Sequence, residues 1–411
     1  MSTHVEFGSP FFQDPWSAYA GLRAAGPVHR FRSGKGLTGW LVTDYTLARE
    51  ALTEPRLIKT QEAMAGVDVR KQPHGIRARA RWRLRELTAP WMVSHMLAAE
   101  PPDHTRLRKV LQRHFSPKAM DALDGPIRRY AKDLTDPLRQ RKSFDIVADY
   151  ALPLPVTVIS HILGVPIGKR DQVAQISKTL SDVVVATPQE LRDAGIAMVT
   201  LIFPLIRERA RRPRNDLLSD LAAARAEGKM TFKEVFSTVA LLLIAGHETT
   251  TNLIGNTFHA LLTQPGLIPD GQRPDERQLE PYIEESLRYQ PPLQSTTLRV
   301  ATEDFTFGGC DVGAGDLVLV SLASANRDAE RFSNAEVFEP QRDARGHIAF
   351  GHGLHHCIGA PLARLEGRIA VAWLLNEFPD MQVEPDAEIR WRESVNFLGL
   401  QSLPVQQHGG R

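Results

Sequence analysis

The sequence predicts a mainly α fold with a minor β region, carried by a single large domain over residues 1–411. Three observations predict it. An apolar-periodic run without proline spans residues 231–264, helical stretches flank it on both sides, and the β-like runs are short and confined to two places. No Gly/Ser-rich or Pro-rich linker interrupts the chain and no internal repeat is visible, so one domain is expected.

Composition narrows the class. Hydrophobic residues make up 42% and charged residues 24%, which is ordinary for a globular protein. Lys+Arg 50 against Asp+Glu 48 leaves a formal charge of +2, so bulk attraction to nucleic acid is not expected. The first ten residues carry neither a basic segment nor an apolar core, and the longest near-continuous apolar run, residues 239–246, falls far short of the ~20 residues of a membrane span. No membrane association and a cytoplasmic location are expected. Cys310 and Cys357 lie in different contexts and make no disulfide framework.

Taken in order, Gly39-Trp40-Leu41-Val42-Thr43 reads as a strand and residues 44–52 as a short helix. Arg77, Arg79, Arg81, Arg83 and Arg85 then recur at every second position. They form either a solvated face or a docking surface for an anionic partner such as a carrier-bound acid. In Glu100-Pro101-Pro102-Asp103-His104-Thr105-Arg106-Leu107-Arg108 the Pro-Pro-Asp sequence opens a helix, with Asp103 available as its cap. His104 and Arg108 fall on one face and together can clamp a carboxylate. Residues 119–225 are mostly helical, with breaks near Leu152-Pro153-Leu154-Pro155, Gly164-Val165-Pro166 and Arg212-Pro213.

Thr231-Phe232-Lys233-Glu234 has capping-box spacing and starts the long run. At about 1.5 Å per residue that run crosses about 50 Å, so its middle must be buried. Yet the middle reads Ala245-Gly246-His247-Glu248-Thr249-Thr250-Thr251. A helical glycine, a threonine triplet and a buried glutamate each disfavour this place, and together they mark a functional site. Downstream, residues 281–289 form another helix, on which Glu285 and Arg288 share a face. Strands are expected at residues 296–300, 305–307 and 316–320, with Cys310 in the Gly-rich turn between the last two.

The second cysteine lies in Phe350-Gly351-His352-Gly353-Leu354-His355-His356-Cys357-Ile358-Gly359. A helix over residues 360–375 follows, with Pro361 in its first turn and Pro379 beyond its end. Cys357 thus sits just outside a helix N-terminus, where free N–H groups and the dipole favour a thiolate. The glycines let the backbone press against a flat cofactor, and a thiolate suits a haem iron. Two other readings exist: a small buried cysteine, or a zinc cluster of His352, His355, His356 and Cys357, which lacks the usual second Cys/His pair. Asn396-Phe397-Leu398-Gly399-Leu400 is a hairpin candidate.

The cysteine loop resembles the haem-binding signature of the cytochrome P450 family, F-G-x-G-x-H/R-x-C-x-G, at every fixed position. His104 to Arg108 resembles the family's H-T-R-L-R segment, Ala245 to Thr249 its A-G-x-D/E-T, and Glu285 with Arg288 its E-x-x-R, for which Arg342 matches the distant partner. The resemblance covers nearly the whole chain and points to the bacterial, actinobacterial secondary-metabolism type.

It implies the following assignments. Haem b is the cofactor, with Cys357 on the iron and Phe350, Gly351 and Gly359 shaping the loop around it. His104, Arg108, Arg299 and His355 bind the propionates. Ala245 and Gly246 lie beside the oxygen site, Gly246 making room for O2; Thr249 hydrogen-bonds the oxygen and Glu248 relays protons. Glu285, Arg288 and Arg342 hold the fold. Helices around residues 170–205 form a lid, and Met96, Leu97, Leu242, Leu293, Gln294 and Phe397 line the substrate pocket.

The implied activity is monooxygenation, one atom of O2 entering a C–H or C=C bond of a mostly apolar small molecule such as a secondary metabolite. Electrons come from a separate ferredoxin or flavodoxin with its reductase, for which Arg106, Lys109, Arg113 and Arg364 are docking candidates, and the protein is expected to be a monomer. Peroxide-driven peroxygenation and non-catalytic haem sensing are the alternatives.

Overall fold

The structure is a computed structural model that describes residues 4–34, 36–60, 90–181, 186–264, 266–268 and 274–407. The Arg77 to Arg85 alternation lies outside them.

The long run forms one helix, Phe232–Thr263. Thr231 caps it through the expected box: Glu234 N donates to Thr231 Oγ1 at 3.2 Å, and Thr231 N donates to Glu234 Oε2 at 2.7 Å. The helices Pro153–Leu163, Arg170–Ser181, Glu280–Tyr289 and Ala360–Glu377 pack around it, which explains why it is buried on nearly every side. Pro188–Arg211 packs on both Arg170–Ser181 and the long helix. The stretch Ile146–Leu163 is apolar enough to cross a membrane, with a mean hydropathy of 1.6, but 67% of it is buried inside the protein, as befits a core helix.

The β region is chiefly a six-stranded sheet. Its strand order is His4–Phe7, Val28–Ser33, Thr38–Val42, Leu317–Val320, Arg299–Ala301 and Leu57–Ile58. Trp40 pairs in parallel with Val318, and Val300 opposes both Leu317 and Ile58. This pairing sets Arg299 next to the end of the Leu57–Ile58 strand, a juxtaposition the site uses. Aromatic residues from the N-terminal segment, among them Phe7, Phe11, Phe31 and Tyr19, seal one face of the sheet.

Glu285, Arg288 and Arg342 meet as expected. Arg288 and Glu285 are fully buried and joined at 2.7 and 2.8 Å, while Arg342 Nε reaches Glu285 Oε1 at 3.3 Å. Arg288 also donates to the carbonyls of Asn326, Ala335 and Val337, so a single side chain ties the helix to the meander that follows.

Three local expectations are corrected. Asp103 does not cap its helix: Pro102 takes that place, and Asp103, the first helical residue, pairs with Arg106 at 2.7 Å. Of the strand expected at residues 296–300 only Arg299–Ala301 forms, because Thr296 and Ser295 bond instead to Val320 and to the C-terminal segment. Cys310 is no turn residue; it starts the strand Cys310–Val312 opposite Phe307, and the turn is made by Gly308 and Gly309 at φ of +55° and +76°.

Candidate active site

Between the middle of the long helix and the cysteine loop lies a cavity of about 1470 Å³ including its mouth. Cys357 and Ala245 are both exposed to it, from opposite walls. The loop is held by Cys357 N donating to Phe350 O and Gly351 N donating to Ile348 O, at 2.9 and 2.8 Å. Gly353 needs its φ of +73°, and a side chain there would strike Thr53 at 2.8 Å. Arg108 stitches the loop to its own helix through a 2.9 Å bond to His356 O, and the Arg364 guanidinium stacks 4.6 Å above the Phe350 ring.

The helix that follows begins at Ala360 with Gly359 as its cap, so Cys357 sits where the sequence places it. The expected electrostatic outcome does not hold for the polypeptide by itself. The thiol opens onto the cavity but is otherwise crowded by its own loop and the neighbouring helices, and this partial loss of water raises its pKa more than the Gly359 and Ala360 N–H groups and the Arg108 and Arg364 charges lower it. A metal cation on Sγ reverses that balance. His352, His355, His356 and Cys357 do not converge, and among the described residues no group of three His, Cys, Asp or Glu can hold a metal ion, which removes the basis for a zinc cluster.

On the opposite wall Gly246 and Thr249 line the cavity, and the Thr249 hydroxyl donates to Ala245 O at 2.8 Å. The Cβ direction of Gly246 meets the Ile159 side chain of the neighbouring helix at 2.8 Å, so helix packing also favours glycine there. Glu248 faces away from the cavity. It is 2% exposed and bonded to Arg392 Nη1 at 2.5 Å, with His247 Nε2 at 3.6 Å. Burial alone would raise its pKa, but the nearby His247 imidazole and the charge and hydrogen bond of Arg392 more than offset this and lower it to about 2.

At the sheet end the cavity is basic. His104, Arg108, Arg299 and His355 all line it, as expected from the sequence. The His104 and His355 rings meet edge-on at 4.7 Å, and His355 Nε2 is 3.3 Å from Glu100 Oε1. Arg299 donates to Leu57 O and Leu52 O at 2.8 and 3.1 Å. Burial lowers the pKa of His104 and Arg299 and takes that of His355 to about 4. His104 Nδ1 and Arg299 Nε are buried without partners. A surplus of buried donors with orphaned nitrogens fits a ligand that brings carboxylates, while the cysteine and apolar walls fit its flat body. The residues present therefore fit haem.

Sequence reasoning missed three residues here. Lys59 lines the basic end, Glu100 bridges Lys59 N and His355, and Arg392 holds Glu248. None has a sequence signal: each lies in an irregular segment without motif or periodicity. Of the proposed substrate contacts, Met96, Leu97, Leu242 and Leu293 line the cavity. Gln294 does not, because it points the other way from Leu293, accepts from Tyr19 at 3.1 Å and donates to Ser394 O. Phe397 is also off the lining, bridged to Leu293.

The docking candidates separate too. Arg106 is paired with Glu234 at 2.6 Å, Arg113 with Asp220, and Arg364 with Glu284 at 2.6 Å, whereas Lys109 is exposed. Charge reversal at Arg113 therefore also breaks an internal ion pair, and Lys109 is the cleaner probe of a docking face.

Known proteins agree with this site. The Cytochrome P450 family model matches residues 277–405. Cytochrome P450 107B1 of Saccharopolyspora erythraea is 40% identical over 98% of this chain and 97% of its own. Cytochrome P450 monooxygenase PikC of Streptomyces venezuelae is 37% identical over 98% of this chain and 94% of its own. The solved structure of the tirandamycin C-bound P450 monooxygenase TamI superposes with a TM-score of 0.88 at 37% identity, covering 98% of this chain and 100% of that one. With full-length identity at this level and a cysteine exposed to a cavity opposite a helix defect, the chain belongs to the cytochrome P450 family and is a haem-thiolate monooxygenase.

Proposed function

We propose that this protein holds haem b on Cys357 and oxidises a mostly apolar secondary metabolite of polyketide or macrolide type. The observation that carries the reading is the shared exposure of Cys357 and Ala245 to one cavity whose far end is basic. Bound haem supplies a thiolate-ligated iron that activates O2 for insertion of one oxygen atom. The protein supplies the rest. His104, Arg108, Arg299 and His355 anchor the carboxylates, and Phe350, Gly351 and Gly359 shape the loop around Cys357. Thr249 presents a hydroxyl to the cavity, and Glu248, ionised and held by Arg392, stands behind it as a carboxylate that can take up a proton and pass it on.

Leu242, Leu293, Met96 and Leu97 leave few polar groups to meet a ligand, which favours a large apolar molecule. The names of the relatives support the same class, tirandamycin C being bound in TamI. We place the protein in the cytoplasm as a monomer of one domain, reduced by a separate ferredoxin or flavodoxin. With a ferredoxin, its reductase and NADPH, isotope-labelled O2 should leave one labelled atom in the product. A product oxygen that carries no label, having come from water or from added peroxide, would contradict the monooxygenase reading.

A further inference from the structure

Lys59 has no part in the reading above. It follows the strand Leu57–Ile58, is 6% exposed and lines the basic end of the cavity. Its backbone N–H donates to Glu100 Oε1 at 2.9 Å, which fixes the main chain. Its ammonium has no hydrogen-bond or ion-pair partner among the described residues. The charged and titratable groups facing it come from four segments: Arg299 from the adjacent strand, His95 and Glu100 from the segment before the His104 helix, His104 from that helix, and His355 from the cysteine loop. Glu100 is the only carboxylate of this set, and it already accepts from Lys59 N and contacts His355. An unpaired buried ammonium beside a guanidinium is costly unless a further anion arrives.

We propose that Lys59 is an additional anchor of the bound haem, its ammonium paired with a haem carboxylate beside Arg299 and His355, and that its charge helps set the reduction potential of the iron. This rests on the haem reading of the cavity. Burial, followed by the Arg299 charge, lowers the Lys59 pKa to about 7, with Glu100 opposing. A carboxylate beside it restores the charged form at neutral pH. A cation held there favours the iron state carrying one more electron. Lysine suits the task, since its point charge on a flexible stem reaches an anion without the fixed geometry of a guanidinium.

The test compares the wild-type holoenzyme with Lys59→Met, which removes the charge at similar length, and Lys59→Arg, which keeps it. Haem should transfer from the Met variant to apomyoglobin about tenfold faster, the weight of one charge-assisted hydrogen bond. Its dye-equilibrated potential should move to a more negative value, and the Arg variant should stay near wild type in both. A Met variant that is folded by circular dichroism yet retains no haem, beside a normal Arg variant, supports the proposal equally. Wild-type transfer rate and potential in the Met variant overturn it, as does an Arg variant that behaves like Met. A wild-type protein without a red-shifted reduced CO band overturns the haem reading, and this proposal with it.

Discussion

Glu248 and Thr249 are neighbours in sequence, but one helical step turns them about 100° apart, so only Thr249 faces the cavity. That division separates two roles. In a Thr249→Ala variant NADPH consumption should continue while product falls and hydrogen peroxide appears, and the ratio of product to NADPH is the check. Equal coupling in variant and wild type would show that the hydroxyl is dispensable. For Glu248 the decisive partner is Arg392. Its pKa of about 2 lies below the unfolded value of 4.5, so the stabilisation is complete above pH ~4.5 and is lost as pH falls toward ~2. Arg392→Ala strands a buried carboxylate and should lower stability by about 3–5 kcal/mol at neutral pH. Its thermal melting should also begin to respond to acid at a higher pH than wild type. Superimposable pH profiles of melting temperature would contradict the pairing.

Among the elements, the long helix Phe232–Thr263 carries the most information. Its ends obey local rules, with a capping box at Thr231, while its middle breaks them. The glycine at 246 is explained by Ile159 of the Pro153–Leu163 helix, whose Cδ1 lies 2.8 Å from where a Cβ would stand. Alanine has the better helix propensity by about 1 kcal/mol, yet overpacking against Ile159 costs about 1–3 kcal/mol. Gly246→Ala should therefore lower the melting temperature, and adding Ile159→Val should recover part of the loss. Independent, additive effects of the two substitutions would show that they are not in contact.

In the whole molecule, what was legible in the sequence was what is local. The Thr231 cap, the helix after Cys357, the Glu285–Arg288 spacing and the His104–Arg108 face are each written within a few residues. The functional assignment of Cys357, Glu248 and Arg299 needed the family resemblance as well. Other features arise only when distant segments meet. The sheet pairs the N-terminal strands with Leu317–Val320, and through it Arg299 comes to the strand preceding Lys59. Lys59, Glu100 and Arg392 have no periodicity or motif of their own, and Gln294 is drawn off the cavity by bonds to Tyr19 and Ser394, residues far away in sequence. The helix terminus that lowers the thiol pKa through the Gly359 and Ala360 N–H groups is visible in sequence, but the desolvation that opposes it belongs to the folded whole.

All of this depends on Cys357 facing the cavity as the ligand of haem iron. The most direct measurement is the absorption spectrum of the reduced, CO-bound protein beside that of Cys357→Ser. The wild type should give the strongly red-shifted Soret band of a thiolate-ligated haem, and the serine variant should lose it together with monooxygenation. A serine variant with an unchanged spectrum would contradict the assignment.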